Sequence, residues 1–549
     1  MSIFNSIRVK KPKRTAFDLS HEVKFSCDFG QLVPFFVQEV LPGDTFKVST
    51  EALVRFAPLI APIMHRVNVY THFFFVPNRL IWDEWKDFIT GGEDGTASPV
   101  LPTVALAGPI RPGSLGDYLG LPVTLSAGNQ SNMSCQVSAL PFRAYHLIWN
   151  EYYRDQNLQD EFEIGLSSGV KPVDALVDNF NKLHYRAWEK DYFTSALPYP
   201  QRLPNPVTIP VGTEAEVFFD GSSQSSATFE PLDVYKAQKY SWGSSGANFE
   251  KVGSDEFQLR HNATLTGPTG SPVQTSVPMN LNPNGTLKAD LSQATGVSIN
   301  ELRRGFSLQR WLENNARGGA RYIEQILSHF GVRSSDARLQ RPEYLGGSKT
   351  PVVISEVMQT SQSQDTPQGN YAGTGTSFGV GKAFKRWFEE HGYIIGILSV
   401  MPRSAYQQGI PRHFLKRDKF DFYWPEFAHL GEQEIKNAEL YYDYTNTPEA
   451  KQENERLFGY TPRYAEYRFI NSHVHGDMAT SLNFWHLGRI FSSRPGLNGD
   501  FVTCKADKSD TGLNRIFAVT DTAVNHLWVQ MYVNCKALRP LPKYGTPGL

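Results

Sequence analysis

Apolar and polar positions along this 549-residue chain fall first into short strand-like runs separated by turn signals. The runs at 35–40 and 46–54 flank Leu41-Pro42-Gly43-Asp44, a tetrapeptide whose proline, glycine and aspartate supply turn dihedrals and turn hydrogen bonds. The run at 67–76 sets Val67, Val69, Phe73 and Phe75 on one face and Tyr70, Phe74 and Val76 on the other, which predicts a strand covered on both sides. Near the C-terminus, the nearly unbroken apolar run at 393–401 predicts a buried strand. The stretch 526–533 turns Leu527, Val529, Met531 and Val533 inward and has a second, partly covered face.

Helical spacing is clearest in three places. Asn78 is a candidate N-cap ahead of Ile81, Trp85 and Phe88, with Gly91-Gly92 as the stop. Tyr145, Ile148, Trp149 and Tyr152 form a stripe that predicts a helix over about 142–154. The third place opens on Ser298-Ile299-Asn300-Glu301, which reads as a capping box, and closes at Gly331 after Tyr322, Ile323, Ile326, Leu327 and Phe330. The pair Gly318-Gly319 inside it predicts a break or two helices. Between 221 and 297 the texture turns to Ser, Gly, Thr, Asn and Pro, a surface insertion that is either a loose loop or a protruding subdomain around Phe229, Tyr235, Tyr240, Trp242, Phe249 and Phe257. Strands at both ends enclosing long, helix-bearing insertions predict a mainly β fold, a jelly roll with elaborated loops. No internal repeat is visible.

Composition narrows the function classes. Aromatic residues make up 13% of the chain, ample for a core and for subunit contacts. Lys+Arg number 54 against 55 Asp+Glu, a formal charge of -1, so no global field draws the molecule to nucleic acid or an anionic membrane. Cys27, Cys135, Cys504 and Cys535 form no CxxC pair, which predicts reduced, mostly buried thiols of a cytosolically folded protein. The N-terminus lacks an apolar signal segment and no apolar run reaches the roughly 20 residues of a membrane helix, so neither secretion nor membrane insertion is expected.

Candidate chemistry is sparse. The glycine-rich stretch 373–383 approaches a phosphate-binding loop, but Thr376 stands where a P-loop requires glycine and Ala383 where it requires Ser or Thr; a flexible loop is expected instead. His473 and His475, with Asp477, offer two or three metal ligands at weak spacing, and structural or subunit-contact histidines fit better. Glu389-Glu390, read as adjacent on a helix, diverge around it and form a solvated face rather than an acid/base pair. No HExxH or Gly-x-Ser-x-Gly signature occurs. The reading assigns no catalytic residue, no metal and no cofactor.

Two basic features remain. Residues 1–20 carry Arg8, Lys10, Lys11, Lys13 and Arg14 against Asp18, an extended arm able to neutralise phosphates, or else an ordinary solvated tail. The segment 303–341 holds eight arginines against Glu313, Glu324 and Asp336; Arg317, Arg321, Arg338 and Arg341 are taken as subunit-interface candidates, because guanidinium suits bidentate pairs across protein contacts.

Several long blocks resemble the major capsid proteins of microviruses, small circular single-stranded DNA bacteriophages, and within them the gokushovirus branch. They include Phe17-Asp18-Leu19-Ser20-His21, Leu41-Pro42-Gly43-Asp44, the stretch 57–70, Phe75-Val76-Pro77-Asn78-Arg79-Leu80-Ile81-Trp82, Asn315-Ala316-Arg317-Gly318-Gly319, the stretch 334–344, Tyr406-Gln407-Gln408-Gly409-Ile410-Pro411-Arg412, Phe458-Gly459-Tyr460-Thr461-Pro462-Arg463-Tyr464 and Phe484-Trp485-His486-Leu487-Gly488-Arg489. The resemblance lapses at 221–297. It implies an eight-stranded antiparallel jelly roll of viral capsid type: a single domain over 21–549 with insertions, self-assembling into a T=1 icosahedral shell around circular single-stranded DNA. It further implies a threefold protrusion at 221–297 serving host attachment, for which Tyr235, Tyr240, Trp242 and Phe249 are candidates. Implied partners are identical subunits, an internal scaffolding protein, a DNA pilot protein, a small basic DNA-binding protein, the packaged DNA and a host cell-surface receptor. The protein would be made in the bacterial cytoplasm and reside in the virion. A carbohydrate-binding jelly roll and a phosphate-handling hydrolase are the rival readings; saturable glycan binding by a monomer would favour the first, and turnover abolished by Lys382→Ala the second.

Overall fold

A computed structural model describes residues 13–107, 110–123, 134–171, 180–202, 216–219, 248–251, 257–260, 264–266, 272–274, 287–290, 299–319, 321–360, 369, 371–506, 511–519, 521 and 524–544. The chain divides into two compact units, Met1–Pro204 with Trp311–Leu549, and Asn205–Arg310. In the second unit the described strands pair as short antiparallel two-stranded ladders, such as Asn248–Lys251 with Phe257–Arg260. Tyr235, Tyr240 and Trp242 lie outside the described residues, and Phe249 is placed only as a position in Asn248–Lys251.

Among the described residues the two large sheets of the first unit take ten strands: β1 (Thr15–Asp18), β2 (His21–Cys27), β3 (Val33–Val40), β4 (Thr45–Phe56), β5 (Val67–Pro77), β6 (Glu343–Pro351), β7 (Val353–Met358), β8 (Tyr371–Trp387), β9 (Gly392–Pro402) and β10 (Leu527–Arg539). A six-stranded sheet has the order β1-β10-β4-β8-β7, with β2 also paired to β10; a four-stranded sheet runs β6-β5-β9-β3. Every pairing in both is antiparallel. β4 and β10 alternate strictly: Phe46, Val48, Val54 and Phe56, with Leu527, Val529, Met531 and Val533, turn inward and join Val67, Val69, Phe73, Phe75, Ile394, Leu398 and Val400 in one core between the sheets. Each such side chain stabilises the fold by about 1.5–3 kcal/mol on burial.

The other face of the four-stranded sheet is also covered. Phe74, Val76, Ile395 and Ile397 pack there with Phe142, Tyr145, Ile148 and Trp149, the apolar stripe of helix α1 (Leu140–Ile148) and the π-turn Trp149–Tyr153 that continues it. This double burial explains the unbroken apolar character of β5 and β9. The helix region carries a fully buried Arg143, whose guanidinium donates to the carbonyls of Ile81 and Ser167 at 2.9 and 2.8 Å; burial lowers its pKa to about 10. Among the described residues the outer face of the six-stranded sheet has no such cover.

The break at Gly318-Gly319 is real: α2 (Ile299–Gly318) ends there, α3 (Tyr322–Phe330) follows, and Gly331 closes it at φ 67° in the left-handed region. Three expectations require correction. Asn78 does not cap the first helix; Asn78–Leu80 is a 3-10 turn, and the helical stretch Trp85–Thr90 starts after Glu84, because Ile81 and Trp82 are drawn into the core. The glycine-rich stretch 373–383 is no loop but part of β8. Its glycines let neighbours approach: a Cβ on Gly375 would stand 2.7 Å from the Phe56 ring, and one on Gly373 2.7 Å from the Ala61 carbonyl oxygen. Glu389 and Glu390 lie in the bend between β8 and β9, not on a helix, and Glu390 pairs with Arg79 at 2.7 Å.

Candidate functional surfaces

The interface-candidate arginines gather around a cleft of about 740 Å³ between 151–155, 186–190 and 321–344, or lie close to it in sequence. Arg341 is clamped over the Tyr152 ring at 4.3 Å, with Asp336 at 3.4 Å and Glu151 at 3.8 Å. Arg321 donates to the carbonyls of Asn150 and Arg154 at 3.0 and 3.2 Å, satisfying groups exposed where the π-turn ends, and reaches Glu324 at 3.2 Å. Arg317 pairs with the almost fully buried carboxylate of Glu432. These three direct their donors at partners within the chain, whereas Arg338 is exposed. Arg186, in the same cleft, lies over the Tyr70 ring at 4.1 Å and donates to Ser399 Oγ at 3.0 Å.

A second cleft, of about 470 Å³, contains His473 and His475. Their rings stack at 5.8 Å, and among the described residues no group of three His, Cys, Asp or Glu side chains is placed to hold a metal. Its polar floor is a charge network that sequence spacing did not reveal. Buried Glu439 accepts from Tyr192 Oη at 2.8 Å and Arg412 Nη1 at 2.9 Å, and Lys416 lies 3.7 Å from Glu466 and donates to Tyr467 Oη at 2.8 Å. Burial holds the Glu439 carboxyl above its ordinary pKa, with Arg412 opposing the shift.

Beside this cleft the surface is unusually apolar. Phe414, Phe420, Phe422, Tyr423, Trp424 and Tyr467 are exposed, and Ile470, which lines the cleft, is 90% exposed. Ring contacts knit part of this into one patch: Tyr423 meets Tyr464 at 4.9 Å and Tyr467 at 6.2 Å, and Phe420 meets Phe427 at 5.8 Å. Exposed apolar patches of this kind mark contacts with other macromolecules. The density of aromatics between 414 and 470 was the available signal in the sequence.

Of the basic arm, Lys13 and Arg14 are described and exposed, and Arg8, Lys10 and Lys11 lie outside the described residues. The arm enters the fold at once, since Thr15 pairs with Arg539 and Asp18 with Lys536 on β10. Cys27, Cys504 and Cys535 are free, buried thiols, as expected; burial raises the pKa of Cys504 to about 12 and that of Cys535 to about 11.

Two opposed antiparallel sheets carrying an exposed aromatic patch suit a subunit that associates with others, and sequence comparison decides the matter. The phage family described as "Capsid protein (F protein)" matches residues 5–549. The chain belongs to that capsid family. Capsid protein VP1 of Chlamydia phage 1 is 38% identical over 593 aligned positions, covering 100% of this chain and 97% of the relative. Capsid protein VP1 of Bdellovibrio phage phiMH2K is 36% identical, covering 97% and 95%, and that of Spiroplasma virus 4 is 32% identical, covering 98% and 95%. The gokushovirus resemblance of the motif blocks is thereby established, and with it a structural capsid role. Among the described residues of this capsid protein no helix is long and apolar enough to cross a membrane.

Proposed function

We propose that this capsid protein self-assembles into a closed T=1 icosahedral shell that encloses circular single-stranded DNA, with the segment 221–297 outside as a threefold protrusion used for host attachment. The observation that carries the self-assembly reading is the aromatic patch over 414–470, with Ile470 almost wholly exposed in the isolated chain, for which identical subunits are the natural cover. Arg338 adds an exposed cation for contacts between subunits, while Arg317, Arg321 and Arg341 hold partners within the chain and would fix the surface around the larger cleft. The DNA-facing element is the arm bearing Arg8, Lys10, Lys11, Lys13 and Arg14. A coat of formal charge -1 leaves most packaged phosphate to be neutralised by other cations, which agrees with a small basic DNA-binding partner; an internal scaffolding protein and a DNA pilot protein complete the expected assembly line in the host cytoplasm.

Sedimentation of the full chain, alone and with its scaffolding partner, tests the reading. Wild-type protein is expected to form closed particles, and Ile470→Asp with Phe469→Asp to remain as subunits with unchanged melting. Wild-type protein that stays monomeric in both conditions, or a double variant that assembles like wild type, overturns it.

A further inference from the structure

We infer that the uncovered face of the six-stranded sheet is a second single-stranded DNA contact, formed by a row of three lysines flanked by exposed aromatic rings and contiguous with the root of the basic arm. It rests on the reading that the shell encloses DNA.

The register creates the row. Lys47 on β4 lies opposite Lys536 on β10 and Lys385 on β8. Because Lys47 is an outward position of β4, its partners share that face, and all three residues are exposed. Adjacent strands are 4.7–4.9 Å apart, so three ammonium groups root within about 10 Å of one another. Among the described residues no carboxylate lies within ion-pair distance of any of the three. Asp18, opposite Lys536 on β1, feels that ammonium without forming an ion pair, and its Oδ1 accepts from the Ser20 amide at 3.1 Å and from the Ser20 hydroxyl. Like charges placed side by side on neighbouring strands destabilise a sheet. A polyanion lying across the row removes that cost.

The surroundings identify the polyanion. Along the same face, Trp387 stands two positions from Lys385, opposite Thr45; Tyr532 stands opposite Glu51, Phe378 opposite Leu53 and Trp528 opposite Arg55. Trp387 is 49% exposed, Trp528 46% and Phe378 66%. An acidic peptide would satisfy the lysines and leave these rings unmet. Unpaired nucleotides offer both phosphates for the lysines and bases for the rings, and stacking of this kind tolerates any sequence. Among the described residues the face also carries Lys382 at the position opposite Ser49, Arg55, Glu51 and the Lys24–Glu22 pair at 3.0 Å, so apart from Asp18 the charges at the lysine end are cationic. Lys13 and Arg14 reach that end, since Thr15 pairs with Arg539 three residues beyond Lys536.

Full-length subunits are titrated with a fluorescent oligothymidylate of about twenty nucleotides over a range of salt. The triple variant Lys47→Gln, Lys385→Gln, Lys536→Gln is expected to lower affinity and flatten the log–log salt slope by roughly 2, about 0.7 per lost contact. On wild-type protein, photocrosslinking with iododeoxyuridine oligomers is expected to modify peptides containing Trp387, Tyr532 or Trp528, a readout that requires no variant to fold. A slope unchanged in the triple variant, crosslinks confined to other peptides, or loss of polyglutamate binding with DNA binding intact overturns the inference. Wild-type protein that fails to bind the oligomer overturns the genome-enclosing reading as well, which separates the two failures.

Discussion

The fully buried carboxylate of Asp44 accepts from Arg539 Nη2 at 2.9 Å and Nε at 3.1 Å, while its Oδ2 also takes the Leu41 amide at 2.8 Å. One side chain thus closes the turn between β3 and β4 and fastens the end of β10 to it. Breaking a buried ion pair from one side leaves an uncompensated charge. Asp44→Ala is therefore expected to cost about 3–5 kcal/mol, read from urea unfolding of the subunit. A loss below about 1 kcal/mol would place Asp44 among ordinary surface pairs.

The glycines of β8 give a second test. Gly375→Val forces a side chain into the Phe56 ring, 2.7 Å from the position of its Cβ. Destabilisation of about 1–3 kcal/mol is expected, with partial recovery in Gly375→Val combined with Phe56→Leu, since neighbours in contact are not additive. Independent additive losses would remove close packing as the reason for glycine there.

Acid sensitivity follows from buried imidazoles. Burial lowers the pKa of His72 and His146 to about 4, although the Phe180 carbonyl, 2.9 Å from His146 Nε2, opposes the shift there. The unfolded chain takes up these protons near pH 6.5, the folded chain only near 4. The stabilisation is complete above the unfolded value and drains away as pH falls between the two. Between pH 7 and 5 each residue is expected to cost roughly 1–2 kcal/mol, measured by urea titration at both pH values. His72→Phe, which keeps the ring stacked near Tyr153, should show a smaller drop than wild type.

For the arm, replacing Lys10, Lys11, Lys13 and Arg14 by Ala is expected to flatten the salt dependence of single-stranded DNA binding by about 0.7 per lost contact. An identical slope rejects the arm as a contact.

Thiol labelling gives a fifth measurement. Burial holds the Cys27, Cys504 and Cys535 thiols above their ordinary pKa, so iodoacetamide near neutral pH is expected to spare peptides containing these residues until the protein is unfolded. Rapid modification of the native chain at any of the three would contradict the packing around it.

The strands that were legible in the sequence are those with one simple environment. β10 alternates because only one of its faces meets the core, and β5 and β9 read as unbroken apolar runs because α1 covers their second face. β8 was misread as a loop because its glycines answer to Phe56, Ala61 and other neighbours distant in sequence, a constraint with no local trace. The site residues show the same division. Arg317 and Arg341 stood out as arginines, but their partners Glu432 and Glu151 are brought to them only by folding. Lys47, Lys385 and Lys536 are unremarkable until register aligns them.

β10 pairs with β1 and β2 on one side and β4 on the other, strands that lie about five hundred residues before it in the chain. The sheet therefore stays split until residues 527–539 have emerged, roughly half a minute to two minutes after residue 15 at 5–20 residues per second. A chain interrupted before about residue 527 lacks Leu527, Val529, Met531 and Val533 from the core and the partner strand for its own N-terminus. The topology thus makes the docking of 527–539 a condition for joining the two ends of the chain in one sheet.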